Sequence, residues 1–300
     1  VTTLLEDHQF ELLQTEEFDT GTAFGIGRAI HCTADGFDPG VAEWLTQDVD
    51  NPATGATMMG RDVRKGSNFT WSLFVNQQSE EDAFAALSAL ATAWTGPGVS
   101  TVADEVAVIR YKVAGRTRRV YGRPRRWANS MDNRVLSGMI PITCDFQRVD
   151  PLFYDDVPEV ATLDLVAESE GGITYPITYP TTSLPSGNNE GEVHIPGSRP
   201  SWPIIRITGE AIDPEIYTPA WTLKLNATIA EGDWVEIDTR PWRRSIVNQD
   251  GLSVAGYINP RVRMRNLFVL PGNQSFGFRA LSGTMTGTAT IKTYGAHAAL

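Results

Sequence analysis

Histidine and cysteine, the side chains that most often carry metal or nucleophilic chemistry, are scarce in this chain. Its 300 residues hold four histidines, His8, His31, His194 and His297, and two cysteines, Cys32 and Cys144. No two histidines stand at helical or finger spacing, so no zinc motif forms. Each cysteine sits among alternating apolar neighbours, which predicts two buried free thiols in strands rather than a disulfide staple. No apolar run reaches the ~18 residues that a membrane-spanning helix needs. The segment from Val1 to Gln14 carries Glu6, Asp7 and Glu11 and lacks the basic-then-apolar order of a signal peptide. Catalytic motifs are missing in the same way. Gly25-Ile26-Gly27 has neither the third glycine nor the following helix of a dinucleotide fingerprint. Ser275 lacks the glycine spacing of a nucleophile elbow. Asp48-Val49-Asp50 opens like a calcium loop, but Pro52 and Met59 stand where ligands are needed. The expected class is therefore non-enzymatic, without cofactor or metal.

What is present points to a folded, mainly β protein. Hydrophobic residues make up 41% and charged residues 20%, the balance of a globular chain. With 27 glycines and 18 prolines among many Thr, Val and Ile, the composition favours short strands joined by turns. The length suits two domains. Net charge is -11, but it is unevenly placed. Between Arg110 and Arg134 lie nine basic residues against Asp132 alone, while residues 1–109 hold 17 acids against Arg28, Arg61, Arg64 and Lys65. A basic stripe in an acidic chain meets acidic surface on a neighbouring subunit, or is simply solvated, more readily than it binds phosphate, because the remaining field repels polyanions.

Along the chain, Asp35 to Gly40 reads as a turn and Asn51 to Gly55 as a loop that runs on toward Gly66. Phe69, Trp71, Leu73 and Val75 alternate as in a strand. Ser79 caps a helix whose first turn carries Glu80, Glu81 and Asp82. Its apolar face holds Ala83, Phe84, Leu87, Leu90, Ala91 and Trp94, and Gly96-Pro97 stops it. A hairpin is expected from Val106–Val113 to Val120–Arg126, then a long strand over Val135–Val149. Pro151 marks a boundary between an N-terminal domain, 1–156, and a C-terminal domain, 157–300. The second half shows strand candidates at 163–167, 204–209, 221–225, 234–238, 253–258, 274–280 and 288–294, the rhythm of a β-sandwich or jelly roll.

Two stretches carry a resemblance. Tyr121-Gly122-Arg123-Pro124-Arg125-Arg126, followed by the run Thr143 to Tyr154 (TCDFQRVDPLFY), is similar to the end of the N-terminal domain in distal tail proteins of long-tailed bacteriophages. The version most similar is the minor tail protein of actinobacterial phages. Ile195 to Gly209 (IPGSRPSWPIIRITG), Glu231 to Thr239 (EGDWVEIDT) and Leu267 to Asn273 (LFVLPGN) resemble the galectin-like sandwich of the same family. The resemblance implies a β-barrel or sandwich ring domain with one helix, followed by a galectin-like β-sandwich. It further implies a ring, normally hexameric, at the distal end of the tail tube. Expected partners are other copies of the chain, the tail tube protein, the tail tip hub, the tape measure protein and side fibres. Genomic DNA would pass through the lumen without specific binding, no membrane would be engaged, and the location would be the virion tail tip, assembled in the host cytoplasm.

Within that expectation, Arg116, Arg118, Arg119, Arg123, Arg125 and Arg126 are candidate subunit-interface residues. Glu16, Glu17, Asp19, Asp48 and Asp50 are candidate lumen-facing acids. The rival reading is a carbohydrate-binding module or adhesin that stacks sugars on Trp202, Trp221, Trp234 or Trp242.

Overall fold

The structure is a computed structural model that describes residues 4–16, 21–165, 189–280 and 286–299. The chain divides into two compact units, one running to Asp156 and resuming at His297, the other spanning Val157–Ala296. The last four residues thus belong to the first unit and not, as expected, to the second.

In the first unit the strands are β1 (Gln9–Leu13), β2 (Thr22–Gly25), β3 (Ile30–Asp38), β4 (Asn68–Asn76), β5 (Ala107–Val113), β6 (Arg116–Asn129), β7 (Met139–Arg148) and β8 (Phe153–Asp155). They form an antiparallel sheet in the order β2-β1-β5-β6-β7-β4-β3, with β8 beside β6. The two outermost strands, β2 and β3, follow each other in sequence across only residues 26–29. That short link draws the two edges together, so the sheet curls into a nearly closed barrel.

Its interior is aromatic. Trp71 meets the rings of Phe10, Phe24, Phe69 and Trp94 edge-on at 5.6–5.7 Å. Helix α1 (Glu80–Thr95) covers this core, and Ser79 Oγ accepts from the Asp82 amide as its N-cap. Ala83, Leu87, Leu90 and Trp94 are buried, whereas Phe84 of the expected face is exposed. Pro97 does not only end α1: it opens a second, five-residue helix, α2 (Pro97–Thr101). Both cysteines are free and buried, and burial pushes the Cys32 thiol up to about 11.

Three further sequence expectations fail in this unit. The turn read at Asp35–Gly40 is mostly strand: the register of β3 on β4 slips between Cys32 and Phe37, and the surplus residues are taken up as a bulge. The loop read from Asn51 is the tip of a β-arm. Trp44–Leu45 pairs with Val63–Arg64, Val49–Asn51 pairs with Ala56–Met58, and Gly55 turns the chain at φ +64°. The long strand from Val135 begins only at Met139, after a 3-10 turn over Asn133–Ser137.

The second unit is a sandwich of two antiparallel sheets. Strands β9 (Glu159–Asp164), β11 (Ile204–Thr208), β14 (Trp234–Asp238), β15 (Ser245–Asn248) and β17 (Thr288–Thr293) make one, in the order β9-β17-β11-β14-β15. Strands β10 (Glu190–Ile195), β12 (Glu215–Tyr217), β13 (Thr222–Lys224) and β16 (Gly272–Arg279) make the other, in the order β10-β16-β12-β13. Alternate residues turn inward, Ile205, Ile207, Val235, Ile237 and Ile291 from the first and Ile216, Leu223, Phe276 and Phe278 from the second. The strand expected over 253–258 is instead a 3-10 turn, Ala255–Tyr257.

Candidate functional site

The basic hairpin is the first place where charge gathers. Its strands β5 and β6 are joined through Ala114 and Gly115, both at positive φ, as a two-residue turn requires. Arg110 is 5% exposed and Glu11 wholly buried, and the guanidinium reaches Glu11 Oε2 at 2.5 Å. The same guanidinium holds both carboxylate oxygens of Asp156, at 2.8 and 2.6 Å. Arg119 donates to Asp156 Oδ1 at 2.9 Å, and Arg118 pairs with Asp155. Burial works to raise the Asp156 carboxyl, but the hydrogen bond from Arg110 and the charges of Arg119 and Arg110 outweigh it and hold it below its usual range. Arg118 and Arg119 are therefore matched from within the unit, by the last residue of β8 and the acid that follows it. Arg123 donates to the carbonyls of Glu105 and Val102 at 2.8 and 2.6 Å.

That leaves the outer end of the stripe. Pro124 pairs with Phe146 and Trp127 with Cys144, so Arg125 and Arg126 together face a single residue of β7. This bulge turns both side chains outward. Arg125 reaches Gln147 Oε1 at 2.8 Å, while Arg126 and Arg116 are exposed and have no side-chain partner among the described residues.

The second feature is an apolar arm. The arm between β3 and β4 carries Val41, Trp44, Leu45, Val49, Met58, Met59 and Val63, all exposed; Met59 is 82% and Trp44 61% exposed. Such a run of large apolar side chains on one protrusion is far from the scattered singles of an ordinary surface. The arm is held in shape by Gly60 N to Asp48 Oδ1 at 2.9 Å, Thr57 Oγ1 to Asp50 Oδ1 at 2.9 Å and Lys65 N to Glu43 O at 2.9 Å. In the same unit a cavity of about 330 Å³ is lined chiefly by Phe10, Ile26, Cys32, Phe37, Pro39 and Val113. Of the candidate lumen acids, Asp48 and Asp50 stand on the arm and Glu16 on the β1–β2 connection. Glu17 and Asp19 lie outside the described residues.

Other motifs of the sequence turn out to hold the fold. Arg148 lies 4.2 Å from the Phe153 ring centre and 5.1 Å from that of Phe69, and donates to Ser67 Oγ and Leu152 O. Asp150 Oδ1 accepts from the Leu152 amide at 2.5 Å, and burial raises its carboxyl to about 6. The motif Arg148 to Tyr154 is thus a clasp that turns β7 into β8. In the second unit, Asp238 and Arg240 form a buried pair at 2.5 Å. Trp234 lies under the guanidinium of Arg206 at 4.2 Å, and Trp242 lies 5.7 Å from that of Arg240, so both are covered by arginine. Trp202 is half-buried, and Trp221 lines a cavity of about 340 Å³. Among the described residues, no three His, Cys, Asp or Glu side chains gather as a metal set, and no helix is long and apolar enough to cross a membrane.

No protein-family model matches this chain, and no curated protein matches it in sequence. Solved structures do. The Dit protein of phage SPP1, described as a paradigm of the hub adsorption apparatus in phages infecting Gram-positive bacteria, is 13% identical. It aligns over 95% of this chain and 98% of its own, with a TM-score of 0.50. Chains of the phage P2 baseplate in its activated conformation align over 95% of this chain and 97% of theirs. With calcium the identity is 9% and the TM-score 0.58; with strontium they are 10% and 0.57. The chain shares their mainly β fold.

Proposed function

We propose that the chain is a structural protein of a phage tail tip, assembling through its first unit into a ring, normally hexameric, at the distal end of the tail tube. The observation that carries this reading is the arm. An exposed apolar protrusion and a recessed apolar cavity on one unit are complementary halves of a head-to-tail contact, the kind that closes rings. The whole-chain likeness to a phage hub protein and to baseplate chains supports the same reading, as does the resemblance of the sequence motifs to those of distal tail proteins. In this reading the arm of one copy seats against the cavity of the next, with Arg116, Arg125 and Arg126 fixing register against the acids of a neighbour. The domains follow the two units, the second of them galectin-like. Partners are the tail tube protein, the tip hub, the tape measure protein and side fibres, and DNA passes through without specific contact. Size-exclusion chromatography with light scattering at micromolar concentration, followed by negative-stain electron microscopy, tests it. Rings and a mass that is a multiple of the chain are expected; a monomer at every concentration overturns the reading.

A further inference from the structure

In the second unit, Lys224 at the end of β13 and Arg261 and Arg263 on the loop that follows the 3-10 turn line one cavity of about 340 Å³. None of the three has an ion-pair or side-chain hydrogen-bond partner among the described residues. Other arginines of the unit do: Arg206 pairs with Glu236 at 2.8 Å, Arg240 with Asp238 at 2.5 Å and Arg279 with Glu215 at 2.6 Å. Glu215 also lines the cavity, and Arg279 already answers its charge. From Gly251 onward the sequence has no Asp or Glu at all. The cavity therefore carries uncompensated positive charge in a chain whose net charge is -11, and it suits an anion.

The wall is built rather than incidental. The Asn259 amide donates to Lys224 O at 3.0 Å, and Asn259 Oδ1 accepts from the Arg261 amide at 3.0 Å. The Val262 and Asn266 amides close turns on Asn259 O and Arg263 O, each at 2.9 Å. These bonds pin the loop to β13, so little order remains to be gained on binding. Trp221 donates its Nε1 to Phe268 O at 2.8 Å. What it offers the cavity is then the carbon surface of its indole. The Asn266 amide supplies a neutral donor and acceptor.

An apolar ring, neutral hydrogen-bonding groups and a cluster of cations ask for a ligand with a CH-bearing face, hydroxyls and an anionic group. We propose that this cavity binds an anionic saccharide, a sugar or polyol unit bearing phosphate or carboxylate. Arg261, Arg263 and Lys224 hold the anion, Asn266 the hydroxyls, and Trp221 packs against the carbon face. A nucleic acid fits less well, because three cations in a generally acidic chain give a local point of attraction and not a track for a polyanion. The site does not depend on the ring: a monomer would bind as well.

The test is calorimetric titration of the full chain with a glycerol-phosphate oligomer, a galacturonate oligomer and a neutral malto-oligosaccharide. At least one anionic oligomer should bind, more weakly as salt rises, and the neutral one should not. The phosphate and carboxylate arms tell which anion the site takes. Arg261→Ser with Arg263→Ser should weaken binding by about tenfold or more without moving the melting temperature, both residues being exposed. Lys224→Gln should weaken it in the same direction. The proposal is overturned if neither anionic oligomer binds at ~1 mM, if the variants bind as the parent does, or if the neutral oligomer binds equally well. An Asp- and Glu-rich peptide that binds as tightly would mean the cavity serves a protein partner, and would overturn it too.

Discussion

Asp156 has two guanidinium groups on its carboxylate and is one of the few charged side chains whose removal should be felt through the whole first unit. Arg110 would keep only Glu11, and Arg119 would lose the acid it donates to. Asp156→Asn should therefore lower the unfolding free energy at neutral pH by about 3–5 kcal/mol, the usual cost of taking one partner from a buried pair. The pH dependence has a definite sign. The folded carboxyl is held below its ordinary value, so its stabilisation is present above the ordinary carboxylate range and is lost as pH falls through the folded value. Urea unfolding of parent and variant should differ most at neutral pH and converge below pH ~4. Equal losses at both pH values would show that the charge of Asp156 is not what matters. Asp150 runs the other way. Burial raises it to about 6, so its contribution is full below the ordinary carboxylate range and falls away as pH rises through about 6.

Among the elements, the arm is the one whose sequence gives least warning. Its strands are two or three residues long, too short for a period of two to show, and Pro52 and Gly55 at its tip read as an ordinary loop. The strand β4 and the helix α1 were legible for the opposite reason: nine residues of strict alternation, and an apolar face on a capped helix of 16 residues. The bulges in β3 and β6 were not legible, because only the partner strand reveals that four residues of β3 and two of β6 stand where one is expected. In the same way the spacing of the arginines showed a basic stripe but not that Asp155 and Asp156 neutralise its middle. If the arm is the contact between copies, Trp44→Ser with Met58→Ser and Met59→Ser should abolish the oligomer. The melting temperature of the monomer should stay unchanged, because these side chains are already exposed. An oligomer of normal mass from this variant would move the interface elsewhere, to the exposed end of the basic stripe first.

For the molecule as a whole, the ring reading sets a condition on its channel. Phosphate must slide past, and acids repel it over ~8 Å at physiological salt. Among the described candidates, Asp48, Asp50 and Glu16 should face the opening, and an electron-microscopy map of the ring decides it. A channel lined by Arg125 and Arg126 would sink this arrangement, since a positive wall retains DNA. The chain leaves the first unit after Asp156 and is back in it at His297, whose ring nitrogen lies 3.1 Å from Asp155 Oδ2. The second unit is thus spliced between two points a hydrogen bond apart and is held by two leads instead of one. Because the two leads almost touch, a short loop could join them and leave the barrel whole, which makes the second unit a cassette that evolution can exchange without rebuilding what carries it.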